Sequence, residues 1–334
     1  MHQYLQRDTR AVITEELFGD RIVRFLYSRV RERAPRLFEL ALGHRISSLL
    51  GFMNFDLPLA PVLLGNRRFL ARCGVDLSEC CEPPEYFTTP RRIFERRIDY
   101  KRCRPMPDDD AVLCPADARL LLGSLATESA ILIKDKFFSY PQLLSFDKVD
   151  WHQVFAGGDF AIFRLTPDKY HYNHLPVSGK VVDFYHIDGL HHSCHPEAVM
   201  AVATPYSSNE RVVTIIDSDV PGGSGVGLVA MIEVTALMIG GVEQCYSEEG
   251  YADPRPIKQG MFLRRGYPKS RYRPGSSTDI LLFEPRRIRF APDLLQARQS
   301  PGVRSLYALD GASGLTEIDV QVRSLLALPT TDDR

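Results

Sequence analysis

From Ala111 onward the chain is cut into short β-type runs by Gly, Pro, Asp and Asn, and this punctuation constrains the fold more than any other feature. The runs are Val112–Cys114, Arg119–Leu122, Ile131–Ile133, Ala161–Leu165, Val177–Phe184, Val199–Ala203, Val212–Ile216, Leu228–Leu237 and Ile280–Phe283. Such runs, bounded by turn formers, read as strands. No regular helices separate them, so the expected body is mainly antiparallel, a sandwich or barrel-like arrangement. Val220–Gly227 reads as a hairpin tip. The last dozen residues, ending Pro-Thr-Thr-Asp-Asp-Arg, read as a frayed tail.

The N-terminal third has a different period. From Thr14 to about Leu50 apolar residues recur at helical spacing (Leu17, Ile22, Phe25, Leu26, Val30, then Leu37, Phe38, Leu40, Ala41), and Pro35 divides two helices. Residues 51–110 carry many turn formers, among them Pro58, Pro61, Pro83, Pro84, Pro90, Pro105 and Pro107, and read as a connecting region that wraps the core. The sequence therefore predicts an α+β chain: a helical N-terminal and connecting region over 1–110, then a β-rich body over 111–334.

Composition narrows the function. Lys plus Arg total 41 against 42 for Asp plus Glu, so bulk charge does not make this a nucleic-acid binder. The seven Cys are scattered without Cys-x-x-Cys spacing, which predicts reduced thiols and a cytosolic setting. The N-terminus lacks the pattern of a signal peptide and no run of 18 apolar residues occurs, so a membrane span is not expected. Between Arg21 and Arg45, however, seven Arg stand against two Glu. A basic amphipathic helix pair of this kind suits an anionic membrane surface, or simply a solvated basic face.

Four constellations hold residue types that do chemistry. Tyr170-His171-Tyr172-Asn173-His174-Leu175-Pro176 places two imidazoles three residues apart beside a Pro-limited turn, where one can act as a base and the other hold a substrate. Pro274-Gly275-Ser276-Ser277-Thr278 puts a hydroxyl next to an unhindered Gly carbonyl, the arrangement an N-to-O acyl shift needs; a plain β-turn reads the same way. Asp117, in Cys114-Pro115-Ala116-Asp117-Ala118, follows an apolar strand and can orient a His or merely cap a turn. The dense stretch His186, His191, His192, Cys194, His195 fits no closed zinc pattern, so no metal site is assigned.

Taken in chain order, these pieces resemble the phosphatidylserine decarboxylase family. The likeness runs over roughly residues 90–290: Asp in Pro-Ala-Asp, Tyr-His-x-x-His-x-Pro, Asn209-Glu210-Arg211, Val229-Ala230-Met231-Ile232-Glu233-Val234, then Gly-Ser-Ser-Thr before Leu-Leu-Phe-Glu. Arg104-Pro105 and Ser139-Tyr140-Pro141-Gln142-Leu143-Leu144 are similar to that family's connecting segments.

The resemblance implies a self-processing proenzyme. Asp117 would orient His174, and His174 would take the proton of Ser276 as its oxygen attacks the Gly275 carbonyl. The ester formed would eliminate to dehydroalanine, and hydrolysis would leave a covalent pyruvoyl group in place of Ser276. The products would be a β chain, 1–275, and an α chain, 276–334, held as a heterodimer. A ketoacyl carbonyl is the electron sink that amino-acid decarboxylation requires, and no ordinary side chain carries one. His171 would contact the substrate carboxylate or aid reprotonation.

The implied reaction turns phosphatidylserine into phosphatidylethanolamine and CO₂, with a phospholipid substrate and an anionic membrane surface as partners and a cytoplasmic, membrane-peripheral location. The same chemistry on a soluble amino acid, and a non-catalytic binding module with the same fold, are the alternatives. Two departures stand out. Ala118 follows the Asp where the family commonly has Gly, and an extra Ser enters the cleavage motif. Counting back from Phe283 selects Ser277 as the pyruvoyl precursor, whereas counting from Gly275 selects Ser276; the demand for a Gly carbonyl favours Ser276.

Overall fold

The computed structural model describes residues 2–15, 75–107, 111–126, 138–201, 204–236, 241–275, 277–298, 300, 302–307 and 315–330. The expected helices over 14–50, the strand Ile131–Ile133 and the basic stretch Arg21–Arg45 lie outside the described residues, apart from Thr14 and Glu15.

The body is built from β1 (Gln3–Gln6), β2 (Val12–Thr14), β3 (Val112–Leu113), β4 (Ala118–Ser124), β5 (Asp159–Leu165), β6 (Tyr172–His174), β7 (Gly179–Ile187) and β8 (Arg211–Asp217). It continues with β9 (Leu228–Thr235), β10 (Val242–Gln244), β11 (Phe262–Leu263), β12 (Pro268–Tyr272), β13 (Ser277–Phe283), β14 (Ile288–Phe290), β15 (Glu317–Val320) and β16 (Leu325–Pro329). Ten of these form one sheet in the order β11-β7-β8-β9-β13-β5-β4-β15-β1-β2. The others form two three-stranded sheets, β10-β12-β6 and β14-β16-β3. Among these strands β1 with β15 is the one parallel pair, and Leu190 and Asn209 form an isolated parallel bridge.

The antiparallel expectation therefore holds, but the large sheet does not close into a barrel; β11 and β2 are its two edges. The small sheets pack on it instead. Phe290 of β14 meets Phe283 of β13 edge-on, and β12 lies over β9 and β13 through Lys269 and Tyr272. Strand β13 is buried along its whole length, between β9 and β5, with Ile280 opposite Ile232 on one side and Ile162 on the other. Burial on both faces is why its apolar run is nearly continuous rather than alternating.

Three expectations change. Within the expected strand Val199–Ala203, the described residues 199–201 belong instead to the helix Pro196–Ala201. An apolar run this short cannot be assigned from periodicity alone, and Pro196 with Glu197 in the first turn favours a helix start. The tail is not frayed over its whole length, because β16 pairs with β3 and β14 and buries Leu326 and Ala327. Nor does the region 1–110 begin as helix. Residues 3–6 and 12–14 are strands of the ten-stranded sheet, with Leu5 buried in its core.

Candidate active site

Strand β6 carries the histidine motif, and its pleat sends Asn173 to one side and Tyr172 and His174 to the other. His174 is fully buried, with Nε2 2.9 Å from the Tyr170 hydroxyl and Nδ1 2.9 Å from the Gly266 carbonyl. A carbonyl only accepts, so Nδ1 carries the proton and Nε2 accepts from Tyr170. The edge of Tyr100 closes over the ring at 4.8 Å. Burial pushes the imidazole down to about 3, against the Gly266 carbonyl and with Arg323 assisting. At neutral pH it is an uncharged base.

His171 sits on a different wall. Its ring stacks on Phe94 with centroids 3.5 Å apart, and neither nitrogen has a hydrogen-bond partner among the described residues. The Lys169 main chain lies close enough to favour the charged form but not in hydrogen-bond geometry. Burial first, and the Arg96 charge second, push its pKa down to about 3. Phe94 is held there by the short helix Pro90–Phe94, whose Thr89 hydroxyl caps the Arg92 amide. A buried imidazole with open nitrogens is poised for a ligand.

Asp117 precedes β4 and is equally buried, but its partners are not the expected ones. Arg104 donates to it through Nε at 3.0 Å and Nη2 at 2.9 Å, and the Val322 amide donates at 2.8 Å. Burial works against ionisation, yet the Arg104 hydrogen bonds and charge prevail and hold the carboxyl below its ordinary range. Its charge reaches His174 through space. The expected Asp117–His174 hydrogen bond is not formed, because the Gly266 carbonyl already takes Nδ1–H and Tyr170 takes Nε2. The groups that orient His174 are thus Gly266, Tyr170 and Tyr100. Tyr170 lay inside the quoted motif, so spacing alone could have flagged it; the carbonyl of Gly266, 92 residues downstream, left no trace in the sequence.

The Gly-Ser-Ser segment joins β12 to β13. Gly275 is buried and adopts φ +151°, a backbone region that residues with a Cβ rarely occupy. Ser276 lies outside the described residues. Ser277 opens β13 opposite Leu165 and Thr235, and its buried Oγ has no hydrogen-bond partner among the described residues. Tyr272, just before the segment, donates its amide to the His171 carbonyl, which ties the segment to the histidine motif.

In the dense His/Cys stretch, His186 and His191 both approach Glu210, at 3.0 and 3.3 Å. The His191 hydrogen bond leads in lowering that carboxyl to about 2. Among the described residues, His2, Glu15 and Glu317 are the one group close enough to share a cation. Arg164 already lies 2.9 Å from Glu15 and 2.6 Å from Glu317.

Comparison with known proteins places the chain in a family. Residues 91–304, which contain Asp117, both histidines and the Gly-Ser-Ser segment, match the family profile described as phosphatidylserine decarboxylase. The chain is 33% identical over 233 residues to the phosphatidylserine decarboxylase proenzyme of Bordetella avium, covering 67% of this chain and 76% of that protein. It is 27% identical over 297 residues to the proenzyme of Ruminiclostridium cellulolyticum, covering 88% and 91%. It is 32% identical over 229 residues to that of Chlamydia trachomatis, covering 68% and 70%. The chain is an enzyme of the carboxy-lyase class. It belongs to the phosphatidylserine decarboxylase family.

Proposed function

We propose that the chain cuts itself between Gly275 and Ser276, converts Ser276 to a pyruvoyl group, and then decarboxylates phosphatidylserine to phosphatidylethanolamine and CO₂. The observation that carries this reading is the Gly-Ser-Ser segment itself. Gly275 holds a conformation suited to glycine at the mouth of the central strand, beside a buried Ser277 hydroxyl without a partner among the described residues, and the strand before it is tied through Tyr272 to the main chain of His171. The pyruvoyl group fits these residues, and bound there it supplies the electron sink for loss of CO₂.

The remaining chemistry falls to side chains. His174 accepts the Ser276 proton through Nε2, the nitrogen that Tyr170 now covers. The Tyr170 hydroxyl also lies 2.8 Å from the Tyr251 hydroxyl, so its proton can turn to Tyr251 and release the Nε2 lone pair, and the Tyr170 oxygen can then accept from the imidazolium. Asp117 steadies the imidazolium through space and fixes the segment after β15 through Val322. His171, with open nitrogens, receives the substrate carboxylate or returns a proton to the product.

Splitting at 275/276 would place β13–β16 in the small fragment. Strand β13 lies between β9 and β5, and β15 between β4 and β1, so the α and β fragments remain one body as a heterodimer. Among the described residues no helix is long and apolar enough to cross a membrane. The Arg21–Arg45 stretch, with its seven Arg against two Glu, is the proposed contact with an anionic membrane surface, from a cytoplasmic, peripheral position.

Intact mass of the purified protein, with Ser276→Ala beside it, tests the processing step. The expected result is two chains for the wild type and one chain of 334 residues for the variant. Splitting of Ser276→Ala, or blockade by Ser277→Ala alone, overturns the Ser276 assignment. CO₂ release from phosphatidylserine vesicles tests the substrate, and release from a free amino acid instead would favour the soluble-substrate alternative.

A further inference from the structure

Lys269 and Ser270 are neighbours on β12, yet both reach the Glu233 carboxylate of β9. Lys269 Nζ lies 2.6 Å from Oε2, and the Ser270 hydroxyl donates to Oε1. A regular pleat sends adjacent side chains to opposite faces, so the strand is interrupted here. The pairing with β6 shows where. Arg271 faces Tyr172 and Ser270 faces Asn173, but His174 faces Pro268, which leaves Lys269 as one extra residue. This is a β-bulge, and it lies beside the step between Asn173 and His174.

Glu233, Lys269, Ser270 and Asn173 are all fully buried at this point. Besides Glu233, the Lys269 ammonium reaches Gln244 Oε1 at 2.8 Å, and Asn173 Nδ2 donates to Glu233 Oε1 at 3.2 Å. A lysine and a glutamate buried together stabilise a core little more than apolar residues of the same shape, and the best-attested use of such a pair is to fix register. In an unbroken strand Lys269 would share the face of Arg271, which is only partly buried. The bulge turns it inward, and Glu233 holds it there.

The bulge decides what His174 meets. Before it, Leu175 donates to the Tyr267 carbonyl at 2.9 Å, Gly266 donates to the Leu175 carbonyl at 2.8 Å, and the Gly266 carbonyl takes the Nδ1 proton of His174 at 2.9 Å. After it, Tyr272 donates to the His171 carbonyl at 3.0 Å. Without the extra residue, the register that sets Ser270 opposite Asn173 would continue with Lys269 opposite His174 and Pro268 opposite Leu175. Gly266 would then sit one residue further along β6, a displacement of about 3.3 Å. His174 would lose the acceptor that fixes its tautomer.

We infer that Lys269 is a positioning residue of the active site: held in the core by Glu233, it keeps the bulge that aims the Gly266 carbonyl at His174 Nδ1 and so leaves Nε2 as the basic nitrogen. The inference rests on the self-cleavage reading above, in which His174 is the base. Lys269 itself touches no reacting atom and acts through the main chain between Gly266 and Ser270.

The test rests on Glu233→Gln/Lys269→Met, because Lys269→Met alone strands the Glu233 charge in the core and is expected to fold poorly. In the double variant the new amide accepts from Ser270 and Asn173 and donates to Gln244 Oε1, so these buried groups keep partners while the pull on position 269 is gone. Splitting of the freshly made full chain is followed by denaturing gel and intact mass, and stability by denaturant melts. The His174 tautomer is read by nitrogen NMR of the histidine-labelled Ser276→Ala chain, with and without the two substitutions. The double variant is expected to melt close to the wild type, to split roughly a hundredfold more slowly, and to lose the His174 Nδ1–H signal. A purely structural role predicts instead that restored stability restores splitting. Splitting of the double variant at the wild-type rate overturns the inference, and so does slow splitting with an unmoved Nδ1–H signal. A double variant that does not fold overturns it too, since the pair would then support the core rather than the register. A wild-type chain that never splits overturns the self-cleavage reading itself, whereas a split wild type with an equally split double variant overturns only the role of Lys269.

Discussion

Arg104→Met offers a quantitative check on how the site is held. Arg104 and Asp117 expose only 8% and 7% of their side chains, and the guanidinium supplies most of the hydrogen bonds to that carboxylate. Removing one partner of a buried pair costs about 3–5 kcal/mol, because the remaining charge is stranded. With an unfolding entropy of roughly 2.1 cal/mol/K per residue, 334 residues give about 0.7 kcal/mol/K, so the loss corresponds to a Tm drop of roughly 4–7 °C. The pH dependence also changes sign. In the wild type the depressed Asp117 pKa adds stability above the unfolded value, lost as pH falls through the folded one. In Arg104→Met burial raises that pKa instead, so stability falls as pH rises through the acid range. Calorimetry from about pH 2 to pH 8 on Ser276→Ala and Ser276→Ala/Arg104→Met, both expected to stay uncut, measures both effects. A Tm change under about 1 °C with an unchanged pH slope would refute the reasoning, whereas adding Asp117→Leu should recover most of the loss.

Other perturbations separate the proposed roles. His174→Ala and Asp117→Asn should slow or stop splitting, whereas His171→Ala should split and lose decarboxylation; equal splitting defects in all three would collapse the distinction. Tyr170→Phe uncovers His174 Nε2 and should leave splitting within about tenfold of wild type while costing about 1–3 kcal/mol of stability, measured by denaturant melts; a complete block would make Tyr170 part of the chemistry. Hydroxylamine should abolish decarboxylation and EDTA should not; zinc at one equivalent, lost together with activity, would contradict this. Binding to phosphatidylserine vesicles should weaken as salt rises and when the Arg residues of 21–45 are neutralised, at about 1 kcal/mol each; salt-independent binding would remove the membrane role of that stretch.

How far the sequence spoke depended on where each residue's partners lie. Ile280–Phe283 announced β13 because a strand buried on both faces is written as an apolar run. Strand β12 was silent: Pro268-Lys269-Ser270-Arg271-Tyr272 looks like a basic loop, because Lys269 and Ser270 are buried by pairing with Glu233 rather than by being apolar. The histidine motif, the Gly-Ser-Ser segment and Asp117 were each visible as local words. Their connections were not, since Asp117 is satisfied by Arg104 and Val322, and His174 by Gly266, contacts that only the folded chain creates. Strands β1 and β16 were missed for a related reason. Each is short, and its pairing partners lie far away in sequence, β15 for β1 and β3 for β16.

The most direct test of the account is the mass and N-terminus of the small fragment from the purified wild-type protein. The account predicts a chain of residues 276–334 whose first residue is blocked and carries a carbonyl that reacts with hydroxylamine. A single uncut chain, or a fragment that begins with an unmodified serine, would contradict it.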